Sequence, residues 1–459
     1  HHGGHGHAVQ LLMLQISAVL RLVSGGIDLI PRTEDEVRSC KIRIRGNSIQ
    51  SLTPVFSIVS AIAGGADSVY FGVGRLNMRA HAAGNLMAEE VPEIMGIVHG
   101  AGKKGYLTVN TVIYDEEIGE MESLIDAAVT AGVDAVIASD MAVVLACGKR
   151  GMPVHLSTQL NISNAAALAF YAQWADVAVL ARELTLTQTA AIARAVQMQP
   201  ITGPSGAPVR LEMFCHGALC MAVSGKCYMS LHTRGKSANR GECLQNCRRT
   251  YDLVDRERGT QLRLENGYVM SPQDLKTIGF LDKMVASGVR VFKIEGRARG
   301  GDYVRTACEC YDEALKAIAD GTYTEASRTA WDDRLATVFN RGFWSGYYLG
   351  EETAKLVSSY GSCATEKKVF VGRCINFFAK KSIGQFELLA GSIRPGEKLL
   401  VTGPTTGAVY VTPALIMDDA GEVKEAGKGV SVTFAVPETV RANDKLYRID
   451  ATPHRAKEL

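Results

Sequence analysis

From residue 46 onward, short β-branched or aromatic runs alternate with alanine-rich helical segments. Such alternation is typical of βα units, whose right-handed crossovers build a parallel sheet. Strands are predicted at residues 51–54, 68–72, 106–110, 135–139, 154–158, 177–181, 210–215 and 289–294. Eight such strands in roughly 250 residues predict a (β/α)8, TIM-like barrel in the α/β class. An open doubly wound sheet is the alternative, but no GxGxxG motif follows the first strand.

The alternation of strands and helices also indicates how the chain is divided into domains. Residues 217–270 are rich in Gly, Ser, Asn and Cys and are too long for an ordinary βα connection, which predicts an insertion. A connecting segment at 321–365 precedes 366–459, where the hydrophobic period becomes two and short strands alternate with turns. We therefore expect a barrel at 46–320 and a small all-β barrel domain after it, with 1–45 an unassigned extension.

Composition excludes some classes of protein. The 459 residues are 47% hydrophobic and 21% charged, which is typical of a folded globular chain. The formal net charge of +2 is too small to indicate a nucleic-acid partner by itself. The apolar stretch at 8–24 contains Gln10, Gln15 and Arg21, so it resembles neither a membrane span nor a signal peptide. We expect a cytoplasmic protein without a membrane partner.

Cysteine is the unusual residue, because five of the 11 lie between Cys215 and Cys247. Four thiolates in one loop suit zinc or a [4Fe-4S] cluster. The paired C-x2-C knuckles of structural zinc sites are absent, and a glycine-rich loop favours the cluster, with zinc or free thiols as alternatives. Cys215 falls within a predicted strand and is expected to be a core residue. The candidate ligands are Cys220, Cys227, Cys243 and Cys247.

Polar residues follow nearly every predicted strand. In (β/α)8 barrels the active site lies at the carboxyl ends of the strands, so this recurrence predicts a shared polar pocket. Helix capping is the alternative, particularly for Asp140. The residues in question are Arg79, His81, Asn110, Asp140, Gln159, Asn161, Arg182, Glu183, Glu212, His216, Lys293, Glu295 and Arg297.

Several long motifs resemble the collagenase-like peptidases, family thirty-two of the peptidases of unclassified mechanism. The resemblance extends from about residue 46 to the end of the chain. Its most specific stretch is EMFCHGALCMAVSGKCYMS at 212–230. Further matching stretches are SVYFGVGRLNMRAHAAGN, HLSTQLNISN, LARELTL, GECLQNCRRTY, SPQDL and KIEGRARG. The usual first strand of the family, similar to ELLSPAG, reads SLTPVFS here.

Within this family, GECLQNCRRTY and KIEGRARG are similar to the branch of tRNA 5-hydroxyuridine hydroxylases. That resemblance implies an oxygen-independent hydroxylation of the wobble uridine in the tRNA anticodon loop. It further implies prephenate as co-substrate, an iron–sulfur donor as a partner, and a [4Fe-4S] cluster. The implied cluster ligands are the four cysteines that the spacing already favours.

The resemblance gives the polar residues possible roles. Arg79, Arg182 and Lys293 are candidates to hold the carboxylates of prephenate, because Arg binds carboxylate through paired hydrogen bonds. Proton transfer is assigned to Glu212, His216 and Glu295, and further substrate contacts to His81, Asn110, Gln159 and Arg297. Structural ion pairs are the alternative. Contacts to tRNA phosphates, or solvated surface charge, are expected for Arg234, Lys236, Arg240, Arg248 and Arg249.

Peptidase activity is the main alternative function. The sequence contains neither HExxH nor GxSxG, and the adjacent Cys215 and His216 would point to opposite faces of a strand. Hydroxylation of ribosomal RNA or of a quinone precursor is a further alternative within the same family.

Overall fold

Eight parallel strands close into a barrel, as the sequence predicts. The computed structural model describes residues 41–45, 54–78, 80, 86–254, 256–258, 261–262, 268–296, 299–358 and 361–452. The last barrel strand pairs with both the first and the seventh, which completes the ring. The barrel strands are β1 (Lys41–Arg45), β2 (Ser68–Gly72), β3 (Lys104–Val109), β4 (Ala135–Ala138), β5 (Val154–Leu156), β6 (Val177–Val179), β7 (Arg210–Ala218) and β8 (Val289–Glu295).

The prediction of the first strand at 51–54 is wrong. Pro54 begins a helix, where a proline needs no backbone N–H, and residues 51–53 lie outside the described residues. The first strand is β1, within the extension that the sequence left unassigned. Its sequence KIRIR places the charged Arg43 toward the barrel interior, 2% exposed, and a search for apolar runs misses such a strand.

Helices surround the barrel, and the main core lies between them and the strands. Asp140 caps one of them, because its side chain accepts a hydrogen bond from the Ala142 N–H, 2.9 Å away. The helices are α1 (Pro54–Ala63), α2 (Val91–Gly100), α3 (Ile118–Thr130), α4 (Met141–Lys149), α5 (Ala165–Ala172), α6 (Leu186–Met198), α7 (Met229–Arg234), α8 (Leu281–Ala286), α9 (Gly301–Ala319) and α10 (Glu325–Thr337).

The insertion between β7 and β8 lies over the carboxyl ends of the barrel strands. It contains α7 and a two-stranded ladder of Leu253–Val254 with Gln261–Leu262, and it is followed by a strand at Asp274–Lys276 antiparallel to β7. Two hydrogen bonds tie it to loops of the barrel. The Val112 N–H donates to the Asn239 carbonyl at 3.2 Å, and the Asn161 amide donates to the Ser224 carbonyl at 3.1 Å.

The carboxyl-terminal part is a separate all-β domain, as predicted. Its antiparallel sheet has a hydrophobic core of its own, distinct from that of the barrel. Two short strands, Met417–Asp418 and Gly421–Glu422, extend one edge of the sheet. The main strands are β9 (Glu366–Phe378), β10 (Ile383–Leu388), β11 (Leu399–Gly403), β12 (Gly407–Val411), β13 (Ser431–Ala435) and β14 (Lys445–Ala451), in the order β12-β11-β14-β9-β10-β13.

The two domains meet where α1 and α9 pack against β12. Arg305 of α9 donates to the Ala408 carbonyl at 2.6 Å and pairs with Glu438 at 2.6 Å. Gly407 contacts α1 closely, since an added Cβ would lie 3.1 Å from the Ser60 hydroxyl oxygen. In the part of the chain that the structure describes, no helix has both the length and the apolar character needed to cross a membrane.

Candidate active site

A cavity of about 460 Å³ opens between the barrel strands and the insertion. Its barrel side is formed by inward side chains near the carboxyl ends of the strands, which is where (β/α)8 barrels place their active sites. Tyr70, Thr108, Ile137, Phe214 and Lys293 line it from five different strands. The insertion forms the opposite wall.

All four candidate cluster ligands line this cavity: Cys220, Cys227, Cys243 and Cys247. They are free thiols; Cys220 is exposed and the other three are half-buried. Burial raises the pKa of the Cys247 thiol, and the three neighbouring thiols raise it further because they would place negative charge nearby. The fold thus brings together cysteines that are up to 27 positions apart in the sequence.

The spacing of these thiols bears on the group they could hold. A tetrahedral zinc site has Zn–S distances of about 2.3 Å, which places its sulfurs only about 3.8 Å apart. Within the described residues, no three His, Cys, Asp or Glu side chains form a group suited to a metal ion. A [4Fe-4S] cluster accepts one thiolate at each of four corners, so its ligands stand farther apart. Four thiols that line one cavity are a donor set that fits such a cluster.

The floor of the cavity contains a buried charge network. The Lys293 ammonium lies 3.1 Å from one carboxylate oxygen of Glu212, and Arg43 pairs with the other oxygen. Lys293 is also 4.4 Å from the ring centroid of Tyr70. Burial lowers the pKa of Lys293 to about 8, and the Arg43 charge contributes in the same direction.

Amide side chains form one wall. The Asn110 amide donates to the Ser157 hydroxyl at 3.1 Å and to the Gln159 side-chain oxygen at 3.3 Å. The other end of the Asn110 amide accepts a hydrogen bond from the Met78 N–H at 3.1 Å. Asn110 and Gln159 therefore line the cavity and also connect β3, β5 and the loop after β2.

Two further predicted site residues, Arg182 and Glu295, also line the cavity. The Arg182 guanidinium lies 4.4 Å from the centroid of the Phe214 ring. Its buried Nε has no hydrogen-bond partner among the described residues. Glu295 is buried at the end of β8, and the Tyr303 hydroxyl donates to its backbone carbonyl at 3.4 Å.

Two of the residues predicted to transfer protons lie behind the cavity wall. Glu212 is fully buried beneath Lys293. His216 is packed among the rings of Tyr303, Tyr311 and Phe343, at centroid distances of 5.5–5.7 Å. Burial lowers the pKa of His216 to about 3, and the charges of nearby cations add to this effect. His216 is therefore neutral and part of the core. Three further predicted site residues, Arg79, His81 and Arg297, lie outside the described residues.

The sequence did not single out two cavity-lining arginines, Arg299 and Arg341. Both contact the buried carboxylate of Asp274, at 2.8 and 3.7 Å. Burial lowers the pKa of Arg341 to about 10, and the charges of Arg248 and Arg299 contribute. Both arginines lie in arginine-containing motifs, RARG and NRGF, which are the only signal that could have identified them.

The basic residues of the insertion divide into two groups. Arg240 pairs with Glu117 and lies over the Tyr114 ring, and Arg248 donates to the Leu219 and Pro272 carbonyls, so both hold the insertion in place. Lys236 pairs with Glu242 at 2.9 Å on the surface. Arg234 and Arg249 are also exposed, as is a lysine that the sequence did not single out, Lys226.

Comparison with known proteins adds a family and several relatives. The model of the family described as Peptidase family U32 matches residues 55–358. A protein named collagenase from Porphyromonas gingivalis is 52% identical over 407 residues, covering 88% of this chain and 98% of that protein. The tRNA hydroxylation protein P1 of Bacillus subtilis is 30% identical, covering 80% and 86%. The 23S rRNA 5-hydroxycytidine C2501 synthase of Escherichia coli is 36% identical, covering 57% and 38%.

Proposed function

The chain belongs to peptidase family U32, and from this membership we propose that it is an iron–sulfur-dependent tRNA hydroxylase. The proposed reaction forms 5-hydroxyuridine at the wobble position, with prephenate as co-substrate and without molecular oxygen. One observation supports it most: four thiols and a cationic barrel floor line the same cavity. A relative named for tRNA hydroxylation covers most of the chain, and another is named for hydroxylation of ribosomal RNA.

Cys220, Cys227, Cys243 and Cys247 would hold the [4Fe-4S] cluster, which supplies redox chemistry beside the substrate when it is bound. The chain itself fixes the positions of these thiols. Gly225 has a positive φ of 76° and approaches Gln159 so closely that an added Cβ would lie 3.1 Å from its side chain. Arg248 fastens the segment next to Cys247 to the strand region after β7 through its carbonyl contacts.

The mouth of the cavity has features suited to an unpaired base. Tyr228 lines the cavity but is 72% exposed, and it has exposed cations on either side in the sequence, Lys226 and Arg234. Stacking of a base on an exposed aromatic ring contributes about 1–3 kcal/mol, and nearby cations attract the phosphates. A wobble base already lies in a loop, so its exposure costs little free energy.

Prephenate has two carboxylates, and the inner part of the cavity offers cations for them. Arg182 and Lys293 both lie against the Phe214 ring, at 4.4 and 5.5 Å from its centroid. Asn110 and Gln159 add amide groups at the same depth, where they would orient a polar substrate. These contacts would hold the co-substrate beneath the base and next to the thiols.

Peptidase activity is the second candidate, because a relative named collagenase is 52% identical. A Cys–His pair at Cys215 and His216 is poorly suited to it. The Cys215 thiol is buried and donates to the Lys293 carbonyl at 3.5 Å, while His216 is in the aromatic core. Hydroxylation of ribosomal RNA or of a quinone precursor would use the same cavity with another substrate.

The experiment is a direct comparison of substrates with anaerobically purified protein. An unmodified tRNA transcript and prephenate are supplied without molecular oxygen, and the digested nucleosides are analysed by mass spectrometry. We expect 5-hydroxyuridine from wild-type protein and from a Phe378→Ala control, whose exposed ring lies in the β domain. Tyr228→Ala should reduce the yield about tenfold. Cleavage of gelatin without any change in tRNA would contradict the proposal and favour the peptidase.

A further inference from the structure

Lys293 is a buried amine that lines the cavity. It projects from β8, is 5% exposed, and lies between the rings of Tyr70 and Phe214, at 4.4 and 5.5 Å from their centroids. An amine that is enclosed by apolar rings and still reaches a substrate cavity is suited to nucleophilic attack on a carbonyl group.

The charge network allows Lys293 to lose its proton. Glu212 is shared, with one oxygen 3.1 Å from Lys293 and the other paired with Arg43. When Lys293 becomes neutral, Arg43 still compensates the Glu212 charge, so no carboxylate is left unpaired in the interior. Burial lowers the pKa of Lys293 to about 8 against the opposing effect of the Glu212 charge, and the Arg43 charge lowers it further, so a substantial fraction of the amine is free near that pH.

Arg182 provides an anion contact in the same cavity as this amine. Its guanidinium lies on the same Phe214 ring, 4.4 Å from the centroid. Among the described residues, no Asp or Glu is within ion-pair distance of Arg182, and its buried Nε has no partner. A guanidinium and an amine that contact one ring and line one cavity match a molecule in which a carboxylate is bonded directly to a carbonyl carbon, which is a 2-oxo acid.

We propose that Lys293 forms a Schiff base with the ketone of a 2-oxo acid whose carboxylate is bound by Arg182. The Lys293 ammonium releases a proton to the water of the cavity while Glu212 stays ionised beside Arg43, and the free amine then adds to the ketone carbon. The C=O bond is replaced by C=N, and the oxygen leaves as water after the proton is taken up again from the cavity. One ammonium and one ketone give one iminium and one water, so charge and electrons balance.

The inference rests on the proposed function for the identity of the natural substrate, because prephenate is itself a 2-oxo acid. It changes the role of Lys293 from a carboxylate contact to a covalent one. The iminium formed would remain beside the Glu212 carboxylate, 3.1 Å from the present ammonium, which stabilises its positive charge.

The test is reductive trapping. Anaerobically purified full-length protein is incubated with phenylpyruvate and cyanoborohydride, and intact mass and peptide mapping are measured. We expect one reduced adduct per chain, located at Lys293. Lys276 is the matched control, since it pairs with Asp332 at 2.9 Å and lies 4.7 Å from the Phe343 ring but does not line the cavity. Lys293→Arg should abolish the adduct, whereas Lys276→Arg should leave it unchanged.

Specificity for the acid is tested with Arg182→Gln. This variant should trap phenylpyruvate about tenfold less well, yet trap phenylacetone, which lacks the carboxylate, as well as wild type does. Absence of an adduct at Lys293 in folded wild-type protein, or equal labelling of Lys276, would overturn the inference. An adduct at Lys293 without tRNA hydroxylation would support the Schiff base and reject the proposed function. Hydroxylation of tRNA without an adduct would support the proposed function and reject the Schiff base.

Discussion

Glu212 is the residue on which the barrel interior depends most. It is fully buried and compensates two buried cations, Arg43 and Lys293. Glu212→Gln removes that charge and leaves both cations without it, so we expect a loss of about 3–5 kcal/mol in the free energy of unfolding. Denaturant titration measures it. Glu120→Gln is the control, since Glu120 pairs with Arg75 at the surface, where about 0–1 kcal/mol is expected. A loss below about 1 kcal/mol for Glu212→Gln would contradict the network.

Lys293 should also give the trapping reaction a characteristic pH dependence. Its pKa is lowered from 10.5 to about 8, so the amine is protonated and unreactive below pH 8 and free above it. The groups that face Lys293 are Glu212, Glu295, Arg43 and the buried His155. Burial lowers the pKa of His155, so its imidazole stays neutral in this range. The rate of adduct formation should rise through pH 8 and level off. A rise only near 10.5 would show an ordinary lysine.

At this scale the sequence predicted some site residues and missed others for a physical reason. Asn110, Gln159, Arg182, Lys293 and Glu295 lie near or just after the carboxyl ends of buried strands, so the barrel rule identifies them as lining the mouth, and all five line the cavity. Ion pairs between residues that are far apart in the sequence leave no local pattern. The pair of Arg43 with Glu212, and those of Arg299 and Arg341 with Asp274, were therefore not predicted.

Among the elements, the insertion carries all four candidate thiols, and it packs against the loop after β2 at Gly241. Gly241 has a positive φ of 80°, and an added Cβ would lie 2.3 Å from the Asn77 carbonyl oxygen. Gly241→Ala should therefore shift the insertion and lower the iron content of anaerobically purified protein. Gly235→Ala is matched, since its φ is 65° and no atom lies within 4 Å of an added Cβ. Gly235→Ala shares with Gly241→Ala only the strain of a left-handed backbone at a non-glycine residue, which costs about 1–2 kcal/mol. Equal iron in both variants would contradict this role.

The cysteines of the insertion and of β7 should differ in their effect on iron. Cys247→Ser removes a thiol that lines the cavity, so we expect loss of most iron, acid-labile sulfide and visible absorbance. Cys215→Ser changes a fully buried thiol outside the cavity lining, and iron content should remain near the wild-type value. Chemical quantification of iron and sulfide per chain distinguishes the two. Iron retained in full by Cys247→Ser would exclude Cys247 as a ligand.

The barrel strands show how far the elements could be predicted from the sequence. Seven predicted strands coincide with β2–β8, because each is an apolar or β-branched run between turn residues. The first does not, because β1 has the alternating sequence KIRIR and uses Arg43, a charged residue, on the side that faces the barrel interior. A charge is tolerated there only because Glu212 of β7 pairs with it, which no local pattern reveals.

In the whole molecule, the β domain is joined to the barrel through a small set of polar contacts. Arg305 links α9 to Ala408 and Glu438. Arg305→Ala should weaken this contact by about 1–3 kcal/mol and separate the unfolding of the two domains in calorimetry. Arg373→Ala removes an exposed pair with Glu387 within the β domain and should leave a single transition. A single unfolding transition in both variants would show that the polar contacts of Arg305 do not hold the two domains together.

The two-domain organisation was predictable because the hydrophobic period itself changes along the chain. Helical and strand runs alternate up to about residue 320, and a period of two begins near residue 366. The contact between the domains was not predictable, since it depends on how α1 and α9 meet β12 in space.

The central proposal concerns the RNA product, so the most direct measurement is nucleoside mass spectrometry of tRNA from cells. A strain that lacks this gene is grown without oxygen and complemented with wild type or with Cys220→Ala. We predict that 5-hydroxyuridine derivatives at the wobble position disappear in the deletion strain, return with wild type, and stay absent with Cys220→Ala. Unchanged levels of these nucleosides in the deletion strain would contradict the account.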